Sequence, residues 1–403
     1  MSTQASTRAT RAVADLGDLF PQAEVSLRRG RVRSGGSYDA VPSRAPRVLV
    51  PAQNRRAAAT ALLRVNQGTS RVQRVAQAGL WLWYRSGLPE RLPRDQVLVG
   101  EAGSGEASLV DVLSEHFGTA VDVALGVGAQ RANQKPVLQV FDGRGQCLAF
   151  AKVGLSPLAQ DLVAAEHDAL TRLAHGRHTT FDQPRVLALL EWDDLPVLVL
   201  SPMPTPWLRR GSADALPVAP MLEVAEFAGL VPHLAGDLSF FRPDPADGDG
   251  TLAERYHRAL EAVADRYGDV EVTVGTWHGD WGPWNMAWTR GLLHLWDWER
   301  FATGAPLGLD ALHFRLQPRL RRLDTAVTAD ELLAAARDAV RPLPVPPAQV
   351  PAVLVAYLSA ITRRYVRDAG TEHGSVLLPH VERMLGLIEA FALAERGRTG
   401  GSS

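Results

Sequence analysis

Two short stretches of the sequence determine what kind of fold this chain has. The first, Trp277 to Asn285, reads WHGDWGPWN, and the second, Leu295 to Glu299, reads LWDWE. In the first stretch Asp280 stands between glycines, where a carboxylate can be presented by a sharp turn. The two stretches therefore combine a possible catalytic base with possible metal ligands.

Asn285 and Asp297 are the candidate ligands for a divalent cation. They offer a neutral and an anionic oxygen, a pair that suits Mg²⁺. Apolar residues on both sides of Arg290-Gly291 predict a hairpin that returns Asp297 towards Asn285. An Asp followed five positions later by an Asn has the catalytic-loop spacing of kinase-type phosphotransferases. In that loop the Asp receives the proton of the substrate hydroxyl and the Asn binds a metal ion, which predicts this role for Asp280.

A lysine and a glutamate upstream complete the predicted phosphate site. Lys152 ends an apolar strand and Glu166 lies in the next helix. In kinases such a lysine contacts the ATP phosphates, and the helix glutamate pairs with it. Lysine is otherwise rare here, because Lys135 and Lys152 are the only two among 43 Lys and Arg residues. The scarcity favours a functional reason for Lys152.

Apolar patterns and turn signals predict a region of strands followed by a region of helices. Strands are predicted at 47–51, 79–84, 119–125, 136–141, 147–153, 185–191 and 196–200. Helices are predicted at 54–63, 106–117, 156–174, 221–235, 251–267, 328–340, 349–366 and 379–396. The proline-rich segment 201–206 cannot continue a central strand, and it predicts a linker between two lobes.

Composition excludes several classes of partner. The 403 residues carry a formal net charge of −1, so no strong field favours nucleic acid or an anionic membrane. Cys147 is the only cysteine, which rules out an intrachain disulfide. No apolar run approaches the roughly 20 residues of a spanning helix, and residues 1–20 lack the apolar core of a signal peptide. We expect a cytoplasmic protein with a small-molecule partner; the oligomeric state is left open.

With these motifs in place, residues 118–395 resemble the aminoglycoside phosphotransferase family, which includes choline and fructosamine kinase relatives. The resemblance rests on His278-Gly279-Asp280 with Asn285, on Asp297-Trp298-Glu299, and on Lys152 with Glu166. It implies an α+β, protein-kinase-like two-lobed fold, with an antiparallel sheet in the N-lobe and a mostly helical C-lobe. It also implies ATP and Mg²⁺ as cofactors, with the adenine hydrogen-bonded to backbone near Ser201 to Met203.

The expected domains are an N-terminal α/β extension at 1–100, an N-lobe at 101–200 and a helical C-lobe at 201–403. The first 18 residues or so are expected to be loosely ordered. The extension has no counterpart in the family, and Trp281 and Trp284 replace the Leu and Gly that members often carry. Gly126-x-Gly128 lies where a loop would cover the phosphates, although a plain hairpin explains these glycines equally well.

The leading hypothesis is transfer of a phosphoryl group from ATP to a hydroxyl of an aminoglycoside, an amino-alcohol or a sugar-like molecule. A nucleotide-binding regulator or scaffold that keeps the fold without turnover is the alternative. A protein kinase is the third hypothesis, and it is less favoured than the other two because no activation-loop segment follows Asp297.

Four further features are given structural roles. His278 is expected to orient the loop, and Asp310 to cap a helix or hold the loop in place. Six of the ten tryptophans lie between Trp277 and Trp298, where core packing is favoured over a stacking platform. The acidic loop 244–249 is expected to be solvated rather than to bind a cationic substrate.

Overall fold

The structure, a computed structural model, describes residues 13–14, 16–20, 23–30, 36–42, 46–64, 71–91, 94–100, 107–127, 135–204, 215–370 and 374–393. The strands are β1 (Val25–Gly30), β2 (Ser37–Val41), β3 (Val48–Pro51), β4 (Arg94–Val99), β5 (Val121–Gly126), β6 (Val137–Asp142), β7 (Cys147–Val153), β8 (Phe181–Asp182), β9 (Val186–Trp192), β10 (Leu195–Leu200), β11 (Val231–Leu234), β12 (Glu271–Trp277), β13 (Met286–Thr289), β14 (Leu292–Leu295) and β15 (Ala302–Pro306). The helices are α1 (Arg55–Arg64), α2 (Arg71–Arg85), α3 (Leu109–Phe117), α4 (Pro157–Leu173), α5 (Val218–Ala225), α6 (Thr251–Tyr267), α7 (Leu309–Leu320), α8 (Ala329–Val340), α9 (Val350–Ala369) and α10 (Leu378–Leu393).

The chain forms two compact units. Unit 1 comprises Met1–His175, Asp182–Ala213 and Ala287–Glu299, and unit 2 comprises Gly176–Phe181, Asp214–Met286 and Arg300–Ser403. The predicted α+β architecture, with an antiparallel sheet region and a mostly helical region, is confirmed. The domain boundaries at residues 100 and 200 stay predictions.

Unit 1 is built on a nine-stranded sheet in the order β1-β4-β2-β3-β5-β6-β7-β10-β9. Its neighbouring strands pair antiparallel, and the pairing of β3 with β5 joins the N-terminal hundred residues to the rest of the sheet. Leu113 of α3 packs on one cluster of buried strand residues. The alanines of α1 pack on another, with Phe141 of β6. The extension therefore continues the sheet of the predicted N-lobe.

Two helices of unit 1 begin at residues whose side chains cap the first turn. Asn54 Oδ1 accepts a hydrogen bond from the Ala57 backbone N–H at 3.0 Å, at the start of α1. Ser156 accepts from the Ala159 N–H at 3.2 Å and precedes a proline at the first position of α4. These side chains satisfy N–H groups that the first turn of a helix leaves without partners.

Unit 2 is mostly helical. Its core is formed chiefly by α6, α7, α8, α9 and α10, whose buried residues include Tyr256, Leu312 and Tyr357. A three-stranded antiparallel sheet in the order β11-β12-β15 lies in the same unit. Strand β12 ends at Trp277, so the loop that carries Asp280 begins directly after a paired strand. Within the described residues, no helix combines the length and the apolar character needed to cross a membrane.

Two predicted elements were wrong. Residues 79–84, predicted as a strand, belong to helix α2, where Tyr84 is buried and donates to Asp39 Oδ2 at 3.2 Å while Leu82 is exposed. The predicted helix 221–235 stops early, because α5 ends at Ala225 and Gly229 adopts a positive φ of 84°. Pro232 has no N–H to continue a helix, and the segment instead becomes strand β11.

Candidate active site

The loop after β12 is held in place at its backbone. Asp310, in the first turn of α7, accepts hydrogen bonds from the N–H groups of His278 at 2.8 Å and Gly279 at 3.0 Å. Arg364 of α9 donates to the Gly279 carbonyl at 2.7 Å. Burial raises the pKa of Asp310 to about 7, and the two backbone donors act in the opposite direction. Asp310 therefore ties down the loop, as the sequence suggested.

Gly279 is required at its position for two reasons. Its φ is +86°, a region that side chains other than glycine rarely adopt. A Cβ at this position would also overlap the carbonyl oxygen of Arg300. The glycine beside Asp280 therefore permits both the turn and the close approach of another backbone segment.

We expect Gly279→Ala to lower the free energy of unfolding by about 1–3 kcal/mol, because the variant combines strain at positive φ with a backbone overlap. Urea unfolding measures the effect. Gly304→Ala in the same unit is the matched control, since Gly304 has φ +73° and an added Cβ meets no described atom within 4 Å. Equal losses in the two variants would show that the contact with Arg300 has no role.

Asp280 accepts three hydrogen bonds through its carboxylate. His313 Nε2 lies 2.9 Å from Oδ1, and Asn285 Nδ2 lies 2.9 Å from Oδ2. Trp284 Nε1 lies 3.4 Å from Oδ2. The side chain keeps 26% of its surface exposed. Asp280 is thus oriented by fixed donors and remains open to a ligand, which suits a group that positions a hydroxyl and receives its proton.

The amide of Asn285 is oriented by the same loop. Its Nδ2 donates to both the backbone carbonyl and the carboxylate of Asp280, each at 2.9 Å. Since both contacts use the amide nitrogen, the carbonyl oxygen Oδ1 is the atom that can ligate a cation. Asn285 belongs to unit 2 and Asp297 to unit 1. Their assignment as ligands of one metal ion stays a prediction.

His313 of α7 is a residue that the sequence reading missed. It is 1% exposed, and this burial lowers the pKa of its imidazole. The hydrogen bond with Asp280 raises the pKa, but its effect is smaller than that of burial. The neutral ring can therefore donate Nε2–H to the Asp280 carboxylate. Its position three residues after Asp310 was the available signal, because residues i and i+3 of a helix share a face.

The lowered pKa of His313 predicts a pH-dependent stability. The unfolded chain binds a proton at His313 as the pH falls below about 6.5, whereas the folded chain does so only at lower pH. The free energy of unfolding should therefore fall with decreasing pH, by at most about 1.4 kcal/mol per pH unit from this group. His313→Gln removes the titration and keeps an amide N–H.

Urea unfolding between pH 5 and pH 8 tests this expectation. The stability of the native chain minus that of His313→Gln should decrease as the pH is lowered from 7 to 5. His233→Gln, at an exposed position in the same unit, serves as control. A pH-independent difference between the native chain and His313→Gln would contradict the assignment of a neutral buried imidazole.

In unit 1 Lys152 lies between two carboxylates. Its Nζ is 2.7 and 2.6 Å from the two carboxylate oxygens of Glu166, and 2.8 Å from Asp297 Oδ1. Burial alone would lower the pKa of Lys152, but Asp297 and Glu166 together raise it above its ordinary value. Glu166 also accepts from the Trp298 N–H at 3.3 Å. Strand β7, helix α4 and the segment after β14 thus bring the three predicted residues together.

Asp297 is held in an uncommon backbone conformation. Its φ is +71°, a left-handed value that is infrequent outside glycine. Such conformations persist when surrounding contacts fix them, and they occur often at functional sites. The ion pair with Lys152 is one such contact.

Glu299 and Lys135 extend this cluster. One oxygen each from Glu166, Asp297 and Glu299 lie within 4.8 Å of one another, a carboxylate set that could hold a metal ion. Lys135 forms an ion pair with Glu299. Both lysines of the chain therefore pair with this carboxylate group, which the sequence reading had not predicted for Lys135. The scarcity of lysine was the signal that could have drawn attention to Lys135. Its partner could not be predicted, because 164 residues separate Lys135 from Glu299 along the chain.

Four residues other than Lys152 were predicted to contact the nucleotide, and three of them lie within the described residues. Gly126 ends β5, and Gly128 lies outside the described residues. Ser201 is used within unit 1, since its Oγ accepts from the Arg185 N–H at 2.9 Å. Met203 lies beyond β10 and is half-buried. Their contacts with ATP stay predictions.

The tryptophans and the acidic loop have structural partners. Trp277, Trp281 and Trp298 are buried, whereas Trp284 is 40% exposed. In the acidic loop, Asp244 and Asp247 are both paired with arginines of α9, and Asp247 is fully buried. The expectation of a solvated loop was therefore wrong for Asp247, because its carboxylate is buried against the guanidinium groups of Arg363 and Arg367.

No protein-family model and no curated protein matches the chain. Solved structures similar to it include a thermostable mutant of aminoglycoside phosphotransferase APH(4)-Ia in its apo form, at 17% identity and a TM-score of 0.49 over 72% of this chain and 100% of that chain. The amicoumacin kinase hAmiN in complex with AMP-PNP, Ca²⁺ and Ami is similar at 11% identity and a TM-score of 0.41, over 66% of this chain and 87% of that one. A putative fructosamine-3-kinase from Haemophilus somnus 129PT has 10% identity and a TM-score of 0.39, over 70% and 96%.

Proposed function

We propose that this chain is a phosphotransferase that uses ATP and Mg²⁺ to phosphorylate a hydroxyl group of a small molecule. The observation that carries the proposal is the buried Lys152, held at 2.6–2.8 Å by Glu166 and Asp297. Kinase catalysis requires such a lysine–glutamate pair together with a metal-binding aspartate. A merely structural ion pair would need neither the additional aspartate nor its left-handed backbone.

The residues around Lys152 and Asp280 fit the cofactors. Carboxylates of Asp297 and Glu299 and the amide oxygen of Asn285 are hard oxygen donors, the type that Mg²⁺ prefers. When bound, Mg²⁺ would neutralise charge on the ATP phosphates. In our proposal Lys152 binds phosphate oxygens, while Glu166 keeps its ammonium group in place.

In the proposed reaction the acceptor hydroxyl lies against Asp280. The hydroxyl oxygen forms a bond to the γ-phosphorus while the bond from that phosphorus to the β,γ-bridging oxygen breaks, and ADP leaves. The hydroxyl proton passes to the Asp280 carboxylate. Ordinary carboxylate basicity suffices, because the proton is lost late in a loose transition state. His313, Asn285 and Asp310 contribute by fixing the position of that carboxylate.

A screen of hydroxylated metabolites for ATP-dependent mass gain of one phosphoryl group tests the function. ADP release should require both an acceptor and Mg²⁺, and chelation with EDTA should abolish it. ATP binding without turnover on any acceptor would instead indicate the nucleotide-binding regulator. Phosphorylation confined to a protein mixture would indicate a protein kinase.

A further inference from the structure

Helix α7 presents a row of polar residues at helical spacing. Asp310, His313, Gln317 and Arg321 follow one another at intervals of three, four and four residues, so they lie along one side of the helix and its C-terminal cap. Asp310 holds the loop backbone and His313 holds Asp280. The last member of the row, Arg321, has no role in the function proposed above.

Arg321 lies over the ring of a tryptophan that touches the proposed base. Its Cζ lies 5.4 Å from the centre of the Trp284 ring, and Trp284 Nε1 lies 3.4 Å from Asp280 Oδ2. A guanidinium group carries its N–H donors in one plane, arranged as a fork that matches a carboxylate or a phosphate.

Trp284 is itself held in position. A Cβ on Gly282 would overlap the indole ring, so the glycine permits the ring to fold back over the loop. The ring also lies edge-on to His313, with centroids 6.4 Å apart. Despite these contacts Trp284 remains 40% exposed beside Asp280. It can therefore serve as a rigid support for Arg321.

The charges near Asp280 favour a negative group over a positive one. The Asp310 carboxylate is turned to backbone N–H groups, and the Asp280 carboxylate already accepts three donors. Arg321, in contrast, is exposed and forms no ion pair among the described residues. Its neighbour Arg322 is paired with Asp324. Arg321 thus offers unused charged donors close to the base.

We propose that Arg321, supported by Trp284, is a specificity residue that binds an oxyanion, a carboxylate or a phosphate, carried by the phosphoryl acceptor. The acceptor is then a hydroxylated anion of small size and not a polycationic aminoglycoside. This proposal rests on the proposed function and narrows its substrate class.

Matched hexose derivatives test the proposal in an ADP-release assay with mass detection. The panel is glucuronate, glucose 6-phosphate, glucose and glucosamine, with kanamycin as the polycation. We expect the native chain to prefer the derivatives that carry an oxyanion. Arg321→Gln should lower kcat/KM for them about 10- to 100-fold, the usual effect of losing hydrogen bonds to a charged group. Arg322→Gln, the control, should leave kcat/KM unchanged.

Two results of this assay would overturn the proposal. One is a preference of the native chain for glucosamine or kanamycin. The other is a rise in KM for ATP, rather than for the acceptor, in Arg321→Gln, which would assign the guanidinium to the nucleotide. Calorimetric titration with ATP is done separately, because a native chain that does not bind ATP contradicts the proposed function itself.

Fluorescence quenching tests for an anion site at Arg321 even if no compound of the panel is phosphorylated. The contribution of Trp284 is the difference between the native chain and Trp284→Phe. Arg321 attracts anions to the ring, so Arg321→Gln should weaken quenching of that contribution by iodide and strengthen quenching by caesium. Arg322→Gln should change neither. Equal ratios of iodide to caesium quenching in the native chain and in Arg321→Gln would exclude an anion site at Arg321.

Discussion

Asp280→Asn is expected to lower kcat for phosphoryl transfer by about 10²- to 10⁴-fold, the usual contribution of a positioned acid–base group. Asparagine has nearly the same shape but does not receive the hydroxyl proton. Its single oxygen can also accept from only part of the donor set formed by His313 and Asn285. KM for ATP should change little, because Asp280 is proposed to contact the acceptor hydroxyl and not the nucleotide.

Steady-state kinetics with an acceptor found in the metabolite screen compares kcat and KM of Asp280→Asn with those of the native chain. Urea unfolding measures the stability of each variant. Asp237→Asn is a suitable control, because Asp237 lies in the same unit and forms an exposed pair with Arg242. Full activity in Asp280→Asn would refute the proposed base. A loss of activity that merely follows a loss of folded protein would assign Asp280 a structural role.

Much of the arrangement around Lys152 was predictable from local patterns. A strand ending in lysine, a capped helix carrying Glu166 and a hairpin leading to Asp297 each have a short-range signal, and their order along the chain matches one known arrangement. The hairpin turn is a good example. Arg290 and Gly291 both adopt positive φ, as the turn residues of a tight hairpin require.

The polar row of α7 was not predictable by the same means. His313 and Gln317 are buried on this helix, and Pro318 lies inside it, so its apolar residues do not form a clean stripe. Polar groups are tolerated there because they have partners on other elements, such as the hydrogen bond from Tyr357 OH to Gln317 Oε1 at 3.1 Å. Such partners are distant in sequence, so the local pattern indicates only that these polar residues share one face of the helix.

The strand predicted at 79–84 was wrong for a related reason. Its alternation of Leu and Trp suits a strand, but the segment packs against α1 as a helix and leaves Leu82 exposed. Strand propensity reflects packing on a pleated surface more than an intrinsic backbone preference. Without the tertiary neighbours, the residue types alone favour the wrong element.

Lys152→Met is expected to abolish phosphoryl transfer and to destabilise unit 1 by about 3–5 kcal/mol, because it leaves the charge of Glu166 buried without its counter-ion. Glu166 is fully buried, whereas the Asp297 side chain is 30% exposed and can be solvated. Adding Glu166→Gln should therefore restore most of the stability without restoring activity, since the ammonium group that would bind the phosphate oxygens is still missing.

The double variant separates the structural role of the ion pair from its catalytic role. Urea unfolding and ADP release are measured on both variants, with Arg242→Met as the control for a surface pair, where a loss below about 1 kcal/mol is expected. If Lys152→Met/Glu166→Gln regained turnover along with stability, Lys152 would be a folding residue only. If it folded stably and remained inactive, the stability of unit 1 and the chemistry of the phosphate site would depend on the same lysine for different physical reasons. A folded state needs the buried carboxylate neutralised, whereas transfer needs a positive charge at that position.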